Sequence, residues 1–130
     1  MSSIFTKIIQ GELPGHFVWE DEYAVAILTI EPIQDGHLLL IPRQEVDHWD
    51  DLPAELATHL MSVSQLLAKG LKKVFPCRRV SMMIIGLEVP HTHIHLLPIN
   101  DMADANIANA KRADDSVLAE TARKIREALA

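Results

Sequence analysis

The chain has 130 residues, 48% of them hydrophobic and 23% charged, with a formal net charge of −6. That is one domain's worth of ordinary globular protein, and the negative balance excludes a chain-wide polyanion-binding surface, so nucleic acid is not an expected partner. The single cysteine, Cys77, excludes an internal disulfide and a cysteine-rich zinc module.

Met1 to Lys7 lack the long apolar region of a signal peptide, and no run reaches membrane-spanning length. The expectation is a cytosolic protein with no membrane partner. Phe5, Ile8 and Ile9 have helical spacing, and Gly11 is placed to end that short helix. Phe17–Glu20 reads as a strand, Asp21-Glu22 as a turn, and Tyr23–Thr29 as the antiparallel return. Pro32 and Asp35-Gly36 mark another turn before the apolar strand His37–Ile41, stopped by Pro42.

Asp50-Asp51-Leu52-Pro53 reads as an acidic helix cap with proline in the first turn. Leu56, Leu60, Val63, Leu67, Leu71 and Val74 then recur at helical spacing, and Ala57, Met61, Ala68 and Phe75 widen the stripe. So broad a stripe fits one side on a sheet and the other against a partner subunit, or deep burial within one chain. Pro76 ends the helix, and Val80–Ile85 is the next strand. A polar, alanine-rich connection, Asn100 to Arg112, leads to a final helix opened by Asp114 or Ser116, with Leu118, Ala122, Ile125 and Leu129 on one face. The sum is an α+β domain spanning 1–130: a meander of about five antiparallel strands with helices on one face. An open sheet has edges, and pairing one across a two-fold would hide it, so a homodimer is expected.

His91-Thr92-His93-Ile94-His95-Leu96-Leu97-Pro98 alternates with period two and reads as a strand with three imidazoles on one face, Ile94 and Leu96 on the other. Pro90 places the strand's start at His91 or makes a bulge there. Two chemistries suit such a row. In the first, a neutral imidazole with one nitrogen held as N–H by a nearby carbonyl presents the other to phosphorus as a nucleophile. His93, central in the row, is that candidate, with His91 and His95 to bind phosphate oxygen and fix geometry. In the second, two imidazoles ligate a metal with help from Glu88, His37 or His16. The outer pair, about 13 Å apart on a strand, cannot share one ion without bending.

The pattern His-φ-His-φ-His-φ-φ, filled by His91 to Leu97 with Thr92 in the first φ place, resembles the signature of the histidine-triad family of nucleotide hydrolases and transferases. Ile4-Phe5-x-Lys7-Ile8-Ile9-x-Gly11-Glu12-x-Pro14, Glu20-Asp21-Glu22-Tyr23, Gly36-His37-x-Leu39-x-Ile41-Pro42 and Asp51-Leu52-Pro53 resemble the family's other landmarks in order, so the likeness covers about 4–98 and leaves 100–130 as a C-terminal connection and helix. The resemblance implies a two-step transfer at a nucleotide α-phosphate. His93 attacks to form a nucleotidyl-histidine, His95 contacts a phosphate oxygen, and His91 and His37 support the nucleophile. It further implies purine nucleotide esters as substrates, no cofactor or catalytic metal, and a homodimer with the sheets joined. Phe5, Ile8, Ile27 and Ile30 match the family's apolar base pocket, and read equally well as plain core. The alternative is a nucleotide-binding or scaffolding member of the same fold without turnover.

Four departures bear on the implied chemistry. Leu87-Glu88 stands where many members carry Gln-Ser or Gln-Thr, so Glu88 either gives a proton to the leaving group or faces elsewhere. Thr29 replaces the usual acidic or amide partner of the ribose, and Met82-Met83-Ile84-Ile85-Gly86 lacks the asparagine expected before the glycine turn. Some members hold structural zinc through an N-terminal Cys-x-x-Cys. Ser3 and Thr6 occupy those places here and Glu45 that of a histidine ligand, so no such zinc is expected. Residues 100–130 are left three roles: capping the site, embracing a partner, or completing the core.

Overall fold

The computed structural model describes residues 2–130. Its elements are α1 (Ile4–Ile9), β1 (Phe17–Glu20), β2 (Ala24–Leu28), β3 (Leu38–Pro42), α2 (Ala54–Val74), β4 (Arg79–Met83), β5 (Ile94–Ile99) and α3 (Asp115–Leu129), with short 3-10 turns at Trp49–Asp51, Met102–Ala105 and Ile107–Asn109. The five strands form one antiparallel sheet in the order β1-β2-β3-β5-β4. It is not a simple meander. After β3 the chain crosses over through α2 to the far edge as β4, and the β4–β5 hairpin returns β5 beside β3.

The central strands β2 and β3 are buried along their whole length, so both faces of the sheet are covered. Strand alternation divides their residues between two cores. Ala24, Ala26, Leu28, Leu38, Leu40, Ile94 and Leu96 meet Leu60, Val63, Leu67 and Leu71 of α2 and Leu118, Ala122 and Ile125 of α3. Val25, Ile27, Leu39 and Ile41 form the opposite core, closed by Phe5 and Ile8 of α1. Each fully buried aliphatic side chain here contributes about 1.5–3 kcal/mol. The two long helices share one face as expected; the six-residue α1 covers the other. Residues 100–130 complete the main core through α3, which packs along α2 so closely that a Cβ on Gly70 would meet Leu129 Cδ2 at 2.5 Å. Met61 of the wider α2 stripe is 51% exposed, so neither core takes it.

Two local expectations are corrected. The acids before α2 do not cap it: Pro53 is the N-cap and makes no side-chain cap hydrogen bond, because Asp50 and Asp51 lie in the separate 3-10 turn. The histidine strand begins at Ile94, not His91. Register places Leu40 opposite Ile94, so the ladder would next reach Pro42, which has no N–H to give. Residues 91–93 turn instead to the loop after β3, where Thr92 N–H and the Thr92 hydroxyl both donate to the Val46 carbonyl, at 2.7 and 2.8 Å. Thr92 in the first φ place is thereby buried and satisfied.

Candidate active site

Four of the seven histidines gather on the α1 side of the sheet. Leu39 and His95 are direct cross-strand partners and so share that face. The rings of His93 and His95 lie 5.0 Å apart, His37 and His95 5.1 Å apart, and Phe5 stands edge-on to His93 at 4.8 Å. His91, His93 and His37 are buried.

Backbone groups fix the tautomers, because a carbonyl only accepts and an N–H only donates. His93 Nδ1 is 2.7 Å from the His91 carbonyl, so Nδ1 carries the proton and Nε2 is left with its lone pair. At His37 the constraint is reversed. The Ile33 N–H donates to His37 Nδ1 (3.1 Å), so His37 Nε2 bears the proton and donates to His95 Nδ1 at 2.9 Å. His95 must then carry its own proton on Nε2. One ring presents a bare nitrogen and its neighbour an N–H, and each assignment traces to one main-chain group.

His91 is held at both ends: Nε2–H donates to the Pro42 carbonyl (2.8 Å), and Nδ1 accepts from the Ser3 hydroxyl (2.7 Å). Burial disfavours the charged form of His37, His95 and His91. It pushes His37 down to about 3, with repulsion from His95 adding to it, and His95 down to about 4, with His93 adding. His91 is lowered by burial as well, against the opposing pull of the Pro42 carbonyl and Glu45.

Of the remaining residues singled out from sequence, Phe5, Ile8 and Ile27 lie together beside the histidines. Ile30 is 50% exposed in the turn after β2 and joins neither core. Thr29 is half-buried, its hydroxyl accepting from the Glu31 N–H at 3.2 Å. Glu88 is exposed in the loop between β4 and β5, and among the described residues no hydrogen bond joins it to a histidine. His16 lies elsewhere, against Asp115 of α3 at 3.4 Å. Sequence reasoning missed Ile33, which acts through its main chain and leaves no side-chain signal. It read Ser3, Thr6 and Glu45 only as occupants of positions where relatives have metal ligands.

The HIT domain family matches residues 10–102. The chain belongs to the HIT family. An adenosine 5'-monophosphoramidase of Saccharomyces cerevisiae is 36% identical over 75% of this chain and 63% of its own length. An adenylylsulfatase of Arabidopsis thaliana is 28% identical over 73% of this chain and 51% of its own. The chain therefore spans less than two thirds of either relative. A Zn-bound histidine triad family protein from Mycobacterium smegmatis superposes with a TM-score of 0.86 at 27% identity, covering 99% of this chain and 94% of that one.

The family resemblance puts the zinc ligands of some members at the places of Ser3, Thr6 and Glu45, and His91 adjoins them, so the fit of this set to zinc is tested by its chemistry. Zinc takes thiolate, imidazole or carboxylate. Two of the four groups are neutral hydroxyls, the Glu45 Oε1 atom already accepts from the Ser3 N–H and the Thr6 hydroxyl, and both His91 nitrogens are engaged. Among the described residues no cluster of three or more His, Cys, Asp or Glu side chains is arranged to hold a metal ion. The set does not fit zinc. No helix among the described residues is long and apolar enough to cross a membrane.

Proposed function

We propose that the chain cleaves nucleotide phosphoramidates and phosphoanhydrides at the α-phosphorus through a nucleotidyl group carried on His93 Nε2. The observation that carries this reading is the opposed pair of tautomers, a bare Nε2 on His93 beside an N–H on His95, with the rings 5.0 Å apart. In the first half-reaction the His93 lone pair bonds to phosphorus as the bond to the leaving group breaks, while the His95 Nε2–H donates a hydrogen bond to the departing nitrogen or oxygen, which takes its proton from solvent. In the second, a water oxygen bonds to phosphorus and the proton it sheds returns to solvent. The P–N bond breaks, its electron pair goes back to His93, and the nucleoside monophosphate leaves. The His91 carbonyl, 2.7 Å from Nδ1, stabilises the cationic ring in between. This transfer draws on imidazole groups and needs no metal.

Phe5, Ile8 and Ile27 offer an apolar wall for a purine, with Ile30 as an outer contact and Thr29 as a short donor to the ribose. If the exposed Glu88 takes the leaving-group place that the family resemblance gives its position, its carboxylate disfavours an anionic leaving group and favours an amine. The phosphoramidase and adenylylsulfatase relatives support nucleotide hydrolase or transferase chemistry for this chain. We read 1–130 as one working unit, since α3 supplies part of the main core. A cytosolic setting, where a lone thiol such as Cys77 stays reduced, fits this reading.

A homodimer belongs to the same reading. The β1 edge is short, bulged between Phe17 and Trp19, and guarded by Arg126, which donates to the Phe17 carbonyl at 2.9 Å. Among the described residues the β4 edge has no such guard; it carries exposed Met82 and is followed by exposed Ile84, Ile85 and Leu87, so a second copy would pair there.

Release of AMP from an adenosine phosphoramidate tests the activity. The reading expects turnover by the native chain and its loss in His93→Ala with nucleotide binding retained. Binding without AMP release from any of several adenylyl substrates would instead make the chain a nucleotide binder.

A further inference from the structure

We propose that Ser3 and Glu45 are positioning residues for the transfer, a clamp that holds His91 and, through its carbonyl, keeps His93 in the reactive tautomer. The inference rests on the reading of His93 as nucleophile and adds two residues to it. His91 itself carries no free nitrogen: its ring is fully buried and bonded at both ends, to the Pro42 carbonyl and the Ser3 hydroxyl. Such a ring cannot attack or shuttle a proton without breaking the bonds that hold it. What it offers is its main chain, because the His91 carbonyl is the acceptor of the His93 Nδ1 proton.

Ser3 is the hinge of the clamp. Its hydroxyl accepts the Thr6 N–H at 3.1 Å, capping α1, and gives its one proton to His91 Nδ1. That direction is forced, since Pro42 already claims the Nε2 proton of His91. Glu45, in the loop after β3, ties this helix end to the sheet: Oε1 accepts from the Ser3 N–H at 2.7 Å and from the Thr6 hydroxyl at 2.6 Å. These bonds hold the Glu45 carboxyl down to about 2, so the anchor is ionised wherever the enzyme works. Two routes then converge on His93 from α1. One runs from Ser3 through the His91 ring to its carbonyl, and the other through Phe5, which rests edge-on against both His93 and His91. The cluster is a carboxylate, two hydroxyls and an imidazole joined by hydrogen bonds.

A purely structural role predicts that Ser3→Ala and Glu45→Gln lower the unfolding midpoint and nothing else. The clamp predicts more. Long-range proton–nitrogen NMR on histidine-labelled protein reports which ring nitrogen bears hydrogen, independently of any substrate. In the native chain His93 is expected as the Nδ1–H form alone, and in either variant as a mixture of tautomers. Turnover of an adenosine phosphoramidate falls about tenfold to hundredfold in kcat with KM little changed, the size of effect outer-shell groups have when they orient a reacting imidazole. Ser3→Thr and Glu45→Asp, which restore a hydroxyl and a carboxylate, recover most of both readouts. If Ser3→Ala does not fold, Glu45→Gln and its Asp counterpart decide alone. An unchanged His93 tautomer in a folded Glu45→Gln or Ser3→Ala protein overturns the proposal. So does an unchanged kcat in either folded variant when the native chain turns over. A native chain that releases no AMP overturns the functional reading instead, and the tautomer measurement still judges the clamp.

Discussion

His37 Nε2 stands 2.9 Å from His95 Nδ1, and of the two rings only His37 can donate, because its other nitrogen already receives the Ile33 N–H. A main-chain amide thus decides, two imidazoles away, that His95 offers an N–H hydrogen bond to the leaving group. His37→Ala removes the donor and frees His95 to change tautomer. The loss should be graded by leaving group: about a hundredfold in kcat/KM for an amine, whose departure that hydrogen bond assists, and only a few-fold for a nitrophenolate ester, which leaves unaided. Equal losses for the two substrates would detach His95 from the leaving group.

The same burial makes stability depend on pH. His37 and His95 are pushed down to about 3 and about 4, and His91 is lowered too, whereas an unfolded histidine titrates near 6.5. The unfolded chain therefore takes up protons that the native state refuses. The stabilisation is whole above about pH 6.5 and falls as pH drops toward the folded values. Urea midpoints should decrease from pH 7 to pH 5, and His37→Asn should flatten that decline. A midpoint independent of pH over this range would show the rings to be charged or exposed.

Gly36 supplies the turn that delivers His37. Its φ is +86°, and an added Cβ would meet the Phe75 ring at 2.5 Å, so Gly36→Ala suffers twice, from a backbone region that favours glycine and from an aromatic ring held in the main core's edge. A destabilisation of about 1–3 kcal/mol is expected in chemical denaturation, with turnover reduced in the molecules that remain folded. Native stability in this variant would mean that Phe75 yields freely.

The open β4 edge makes an association test direct. Sedimentation equilibrium should give twice the 14.5 kDa chain mass, and Met82→Glu with Ile84→Glu, which put charge along that edge, should shift the protein toward monomer. A native monomer at micromolar concentration would remove the dimer from the account.

Much of this fold could be read from the chain because its signals are local. Gly11 ends α1 with a φ of +82°, the i, i+3, i+4 rows mark α2 and α3, and alternation along β2 and β3 sorts residues between the two cores. The errors came where a distant partner overrides the local signal. Alternating histidines promised a strand from His91, but Thr92 pairs with Val46, 46 positions away, and Pro42 cannot extend the ladder. Asp50 and Asp51 have the composition of a cap, yet a 3-10 turn consumes them before Pro53. The histidine spacing named His91, His93 and His95 and the family resemblance added His37, four rings that lie together on one face of the sheet, while their tautomers depend on the Ile33 amide and the Ser3 hydroxyl, one without a side-chain role and the other 88 positions from its partner.

The most direct test of the central claim is intact-mass and peptide analysis of the native chain quenched in acid-free denaturant during turnover of an adenosine phosphoramidate. The account predicts one adenylyl group per chain, confined to the peptide bearing His93 and absent from His93→Ala. Turnover with that peptide unmodified, or with the group on another residue, would contradict it.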